Sequence, residues 1–102
     1  MTGGMGGIHP DAVERMLMVC RRTPELKQLV LFGSRAQGRH GPGSDIDLMY
    51  TGENVPARFA HELAEAAGLY RLDLLEFRQT LDVVLKREIE RNGIVFYERI
   101  QE

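Results

Sequence analysis

Asp45 and Asp47 stand two positions apart in the alternating run Asp45-Ile46-Asp47-Leu48-Met49-Tyr50. In a strand, side chains two apart leave the same face, so two carboxylates project side by side. Adjacent carboxylates repel each other, and Asp is disfavoured in strands. A hard divalent cation such as Mg²⁺, which takes oxygen ligands, answers both objections. The plain alternative is a water-facing pair at a strand start, with Asp45 as a turn residue after Ser44. A third acid, Asp73, stands among Leu72, Leu74 and Leu75. That run predicts a buried or near-buried carboxylate, which is costly unless it is paired or binds metal. A salt bridge to Arg71 or Arg78 would satisfy it without metal. Gly33-Ser34 follows the apolar run Leu29-Val30-Leu31-Phe32. Where a strand becomes a helix, the first amides lack internal partners and favour an anion, and a serine hydroxyl adds a donor. A glycine turn with a serine cap is the ligand-free reading of the same pair. Taken together, a phosphate cradle and three carboxylates are the kit for metal-assisted phosphoryl or nucleotidyl transfer.

The surrounding pattern supplies elements to position these residues. Pro10 opens a helix over residues 10–22, with Val13, Met16, Leu17 and Cys20 on its apolar stripe. Cys20 reads there as a small buried hydrophobe and not as a reactive thiol. Leu26 to Phe32 reads as a strand covered on both faces. A short helix follows from Gly33 toward Gln37, then a turn-rich loop from Gly38 to Ser44. Asp45 to Tyr50 is the second strand and Thr51 to Val55 a loop. Pro56 opens a helix with Phe59, Leu63, Ala66 and Ala67 inward and Gly68 as its cap. Arg71 to Phe77 is the third strand. Leu81, Val84, Leu85 and Ile89 mark a last helix, stopped at Asn92-Gly93, and Ile94 to Tyr97 a short closing strand. This alternation predicts an α/β (α+β) domain: a small mixed β-sheet flanked by helices.

Composition narrows the class. The chain has 102 residues, 43% hydrophobic and 27% charged, as expected for one soluble domain. Thirteen basic against fifteen acidic residues give a net charge of −2, which disfavours direct nucleic-acid binding. One cysteine excludes an intramolecular disulfide. The chain has no apolar run of membrane-spanning length and no signal-peptide pattern, so a cytoplasmic protein is expected. Met1 to Gly7 holds four of the eleven glycines. Residues 1–9 are expected to be a flexible glycine-rich tail and 10–102 the folded domain. An exposed apolar face, and with it a homo-oligomer, is compatible with so small a domain.

The string Leu31-Phe32-Gly33-Ser34-Arg35-Ala36-Gln37-Gly38, followed by Ser44-Asp45-Ile46-Asp47-Leu48, resembles the minimal nucleotidyltransferase (MNT) branch of the DNA polymerase beta-like nucleotidyltransferase superfamily. Ten residues separate Ser34 from Asp45, which matches the family's spacing. Arg71-Leu72-Asp73-Leu74-Leu75 resembles its third-carboxylate strand, and Ile89 to Tyr97 its closing helix, glycine and strand. The resemblance implies a polymerase-beta-like fold in which Gly33 and Ser34 bind the nucleotide triphosphate. Asp45 and Asp47 would ligate Mg²⁺. Asp73 would help hold the catalytic metal, two ions in all, and accept the proton of the attacking hydroxyl. Arg35 would neutralise phosphate charge, against a plain reading as a solvated helix residue. Arg39 and His40 read as a solvated loop or as contacts to nucleotide or partner. The implied reaction moves AMP from ATP to a hydroxyl. MNT proteins of this size are commonly paired with a HEPN ribonuclease toxin, which they silence as antitoxins by AMP transfer to a tyrosine, by binding, or by both. The alternatives are a non-catalytic inhibitory subunit and a transferase for a small molecule such as an aminoglycoside.

Overall fold

The computed structural model describes residues 5–79 and 82–100. In chain order these form α1 (Pro10–Arg21), β1 (Leu26–Phe32), α2 (Gly33–Ala36), β2 (Ile46–Gly52), α3 (Arg58–Ala67), β3 (Leu72–Glu76), α4 (Val83–Asn92) and β4 (Ile94–Glu98). The strands make one mixed sheet in the order β3-β2-β1-β4. β1 is antiparallel to β2 and β4, and β2 is parallel to β3. The fold is α+β, a small mixed sheet flanked by helices, as expected. None of the described helices is long and apolar enough to cross a membrane.

Alternation along β1 feeds two apolar clusters. Leu29 and Leu31 join the main core with α1 and α3. Phe32 and Val30 face the other way, toward Met49, Leu75, Leu85 and Ile89. α1 starts at Pro10, and the His9 ring accepts from the Asp11 amide. It buries Ala12, Met16, Val19 and Cys20, while Val13 and Leu17 are half-buried, so its inward stripe is rotated slightly from the expected one. α3 buries Phe59, Leu63 and Ala67 and ends at Gly68, whose φ is 69°. Burying Phe59 and Leu63 contributes about 1.5–3 kcal/mol each.

Further details differ from the sequence reading. The last helix starts at Val83, where the Asp82 carboxylate accepts from the Leu85 amide; Leu81 lies outside the described residues. Val84 is exposed, because Leu85 and Ile89, one turn apart, take the contact with the sheet. Finally, part of the expected tail is packed. Met5–Gly7 form a short 3-10 turn, Ile8 is fully buried, and the His9 amide donates to the Tyr70 hydroxyl. The glycines around Ile8 hid an apolar anchor; Met1 to Gly4 lie outside the described residues.

Candidate active site

Because β1 is antiparallel to β2 while β3 is parallel to it, the end of β1 meets the starts of β2 and β3. Pairing sets Phe32 opposite Asp47, and Asp47 beside Asp73. Strand parity puts Asp45, Asp47 and Asp73 on the face that carries Phe32, Met49, Leu75 and α4. Gly33 and Ser34 leave β1 at this same edge. The site residues read from the sequence, far apart in the chain, therefore converge.

Gly33 is required here on two counts. Its φ is +75°, a region that side chains rarely adopt, and a Cβ would collide with Asp47 Oδ2. The missing side chain lets the Asp47 carboxylate lie against the turn. Among the described residues no side chain caps the start of α2. The turn's first amides thus have no side-chain cap among the described residues.

Asp47 is half-buried, and its pKa is raised from the ordinary aspartate value. Burial is the largest cause; the Asp73 and Asp45 charges add to it, and the Arg35 cation opposes it. Both neighbouring acids therefore act on Asp47. Asp45 sits one residue before β2, with Oδ1 4.0 Å from Arg71 Nε. The Arg71 carbonyl accepts from the Ile46 amide at 2.8 Å, tying the starts of β2 and β3.

Asp73 departs from expectation, since it is exposed. Leu72 and Leu74 enter the main core and Leu75 the smaller cluster, so the apolar run is divided between two faces. Asp73 lies at the uncovered end of an edge strand. The partners considered for it also go elsewhere: Arg71 faces Asp45, and Arg78 pairs with Glu53 at 3.2 Å.

As they stand, no three His, Cys, Asp or Glu side chains among the described residues form a ready metal-holding group. The donor chemistry nevertheless fits a hard divalent cation. The three aspartates at this sheet end offer carboxylate oxygens alone, and a bound cation would relieve the repulsion that Asp45 and Asp73 exert on Asp47.

Arg35, expected at the phosphates, is turned inward. Its guanidinium is buried and donates to the carbonyls of Ser44 and Gly6. This accounts for its burial: a cation leaves water only when its donors are matched. In the following loop, Arg39 donates to the Gln37 side chain, and His40 packs against Gly7. As partners of Arg35, Tyr70, Ser44 and Gly6 escaped the sequence reading. Backbone carbonyls carry no residue-type signal, and nothing local to Tyr70 marks it as a partner of Arg35.

Comparison with known proteins shows the family. A family model described as polymerase beta, nucleotidyltransferase matches residues 14–102. The structure is similar to a crystal structure of a toxin–antitoxin with AMP-PNP, with TM-score 0.67 and 25% identity over 85% of this chain and 73% of that one. It is likewise similar to a variant of the toxin–antitoxin MntA-HpeT, with TM-score 0.64 and 25% identity over 84% and 72% of the two chains. A protein from Shewanella oneidensis shares the fold at TM-score 0.56 and 17% identity, over 86% and 70%. No curated protein matches by sequence. With a family match over most of its length and the acids and glycine turn gathered at one sheet end, the chain belongs to the polymerase beta nucleotidyltransferase family and is a nucleotidyltransferase.

Proposed function

We propose that this chain transfers AMP from ATP to a tyrosine hydroxyl of a HEPN ribonuclease partner and so acts as its antitoxin. The observation that carries the reading is the register of Asp47 beside Asp73, with the Gly33–Ser34 turn packed on Asp47. The similar toxin–antitoxin solved with AMP-PNP supports an adenine nucleotide and a protein partner.

In this reading the amides of the turn and the Ser34 hydroxyl hold the triphosphate. Asp45, Asp47 and Asp73 would hold Mg²⁺, two ions in all. A divalent ion bound there supplies charge neutralisation at the phosphates and polarises the reacting oxygens. The acceptor oxygen bonds to the α-phosphorus as the bond to the bridging oxygen breaks. Pyrophosphate leaves with that electron pair. Asp73, being exposed, is reachable by an acceptor and takes its proton. Orientation and charge neutralisation do most of the work.

The test is co-expression with the product of the adjacent gene, followed by intact-mass analysis for AMP on a tyrosine. The wild type is expected to add AMP and silence the partner. The Asp45→Asn, Asp47→Asn double variant is expected to bind the partner without modifying it. Undiminished silencing by the double variant would favour inhibition by binding alone. AMP transfer to an aminoglycoside without any partner would favour a small-molecule acceptor.

A further inference from the structure

We propose that Arg35 is a positioning residue. It fixes the phosphate turn relative to the carboxylates by gripping backbone carbonyls, and it does not touch the nucleotide. The proposal rests on the transferase reading above. Arg35 is only 3% exposed. Its Nε and Nη2 donate to the single carbonyl of Ser44 at 3.2 and 2.9 Å. Its Nη1 donates to the Gly6 carbonyl at 2.9 Å, and the guanidinium lies 5.1 Å over the Tyr70 ring.

Each of these partners leads into a working part of the site. Arg35 directly follows Gly33-Ser34. Ser44 directly precedes Asp45. Tyr70 lies at the entry to β3, which carries Asp73, and its hydroxyl accepts from the His9 amide at 2.9 Å. One buried cation therefore joins the phosphate turn, the lead-in to Asp45 and Asp47, the lead-in to Asp73 and the N-terminal segment. Two donors on one carbonyl fix both distance and direction. A lysine, a point charge on a flexible stem, reproduces neither. Turning this guanidinium toward a ligand would strand two carbonyls and expose the Tyr70 ring, so the geometry opposes a direct phosphate role.

The experiment compares wild type, Arg35→Lys and Tyr70→Leu by AMP-PNP binding, steady-state AMP transfer, thermal unfolding and hydrogen exchange. For Arg35→Lys, kcat is expected to fall about 100-fold, the cost of roughly 1 Å of misplacement, with KM for ATP and the AMP-PNP Kd within about threefold of wild type. Tyr70→Leu keeps the hydrogen-bonding groups of Arg35 and removes the ring beneath it, together with the hydroxyl that accepts from the His9 amide; its kcat is expected to fall about tenfold with KM likewise held. Folded Arg35→Lys protein with wild-type kcat overturns the proposal. So does a loss confined to AMP-PNP affinity, which would make Arg35 a phosphate ligand. If Arg35→Lys does not fold, a wild-type kcat in Tyr70→Leu overturns it. Wild-type protein that neither binds AMP-PNP nor transfers AMP sinks the transferase reading instead. Exchange at the Ser44 and Ile46 amides then decides for Arg35: faster in Arg35→Lys supports the grip, unchanged overturns it.

Discussion

The Asp47 carboxyl is held between Gly33 and two other acids, half out of water. Its raised pKa means that the folded chain holds this proton more tightly than the unfolded chain does. The stability that this contributes is fully present below the unfolded value of 3.8 and is lost as pH rises through the folded value. Near neutrality the ionised group therefore opposes folding. Asp47→Asn is expected to melt above wild type near neutral pH in the presence of a chelator, while AMP transfer is lost. The gain should shrink as pH falls toward the unfolded value. Melting curves across that range check the sign, and a variant that melts below wild type at neutral pH would contradict it. Cys20 behaves differently: burial pushes its thiol up to about 12, which fits the inert core residue expected on the α1 stripe.

Among the elements, the α4–β4 connection governs how the second face of the sheet is covered. Gly93 permits the close approach. A Cβ there would stand 2.5 Å from the Ile89 carbonyl oxygen and 2.7 Å from Val30 Cγ1. That tight turn lets Ile94 pair with Leu31 and Val95 with Val30 while Ile89 packs beside Phe32, the residue before Gly33. Gly93→Ala is expected to cost about 1–3 kcal/mol, as overpacking does. In a domain of this size that lowers Tm by about 4–8 °C per kcal/mol. Thermal denaturation reads the shift directly, and an unchanged Tm would show that the turn relaxes freely.

Across the whole molecule, segments near both ends of the described chain brace the domain. Ile8 is fully buried in the main core. Near the other end, Arg99 donates to the carbonyls of Leu26, Cys20, Arg21 and Thr23 and lies over the Tyr97 ring. Ile8→Ala is therefore expected to cost about 2–4 kcal/mol. That is a large part of the 5–15 kcal/mol typical of a folded domain. Urea unfolding measures it; a midpoint equal to wild type would restore the reading of residues 1–9 as a tail.

Most elements were legible in the sequence, because periodicity and breakers are local properties. Leu29 to Phe32 announced β1, Gly68 closed α3, and Asn92-Gly93 ended α4. The enzyme class was legible too, because Gly33-Ser34 and Asp45-x-Asp47 are short strings whose spacing their elements dictate. The third acid was legible as a residue but not in its surroundings. Leu72, Leu74 and Leu75 read as one apolar run, whereas the sheet divides them between two faces and leaves Asp73 in the open. Likewise, nothing local separates an arginine that meets phosphate from one that grips two carbonyls. Only the tertiary structure decided the register that places Asp47 beside Asp73, the inward turn of Arg35 and the anchoring of Ile8. Each depends on contacts between segments distant in the chain, and a residue's type does not say which distant backbone it will meet.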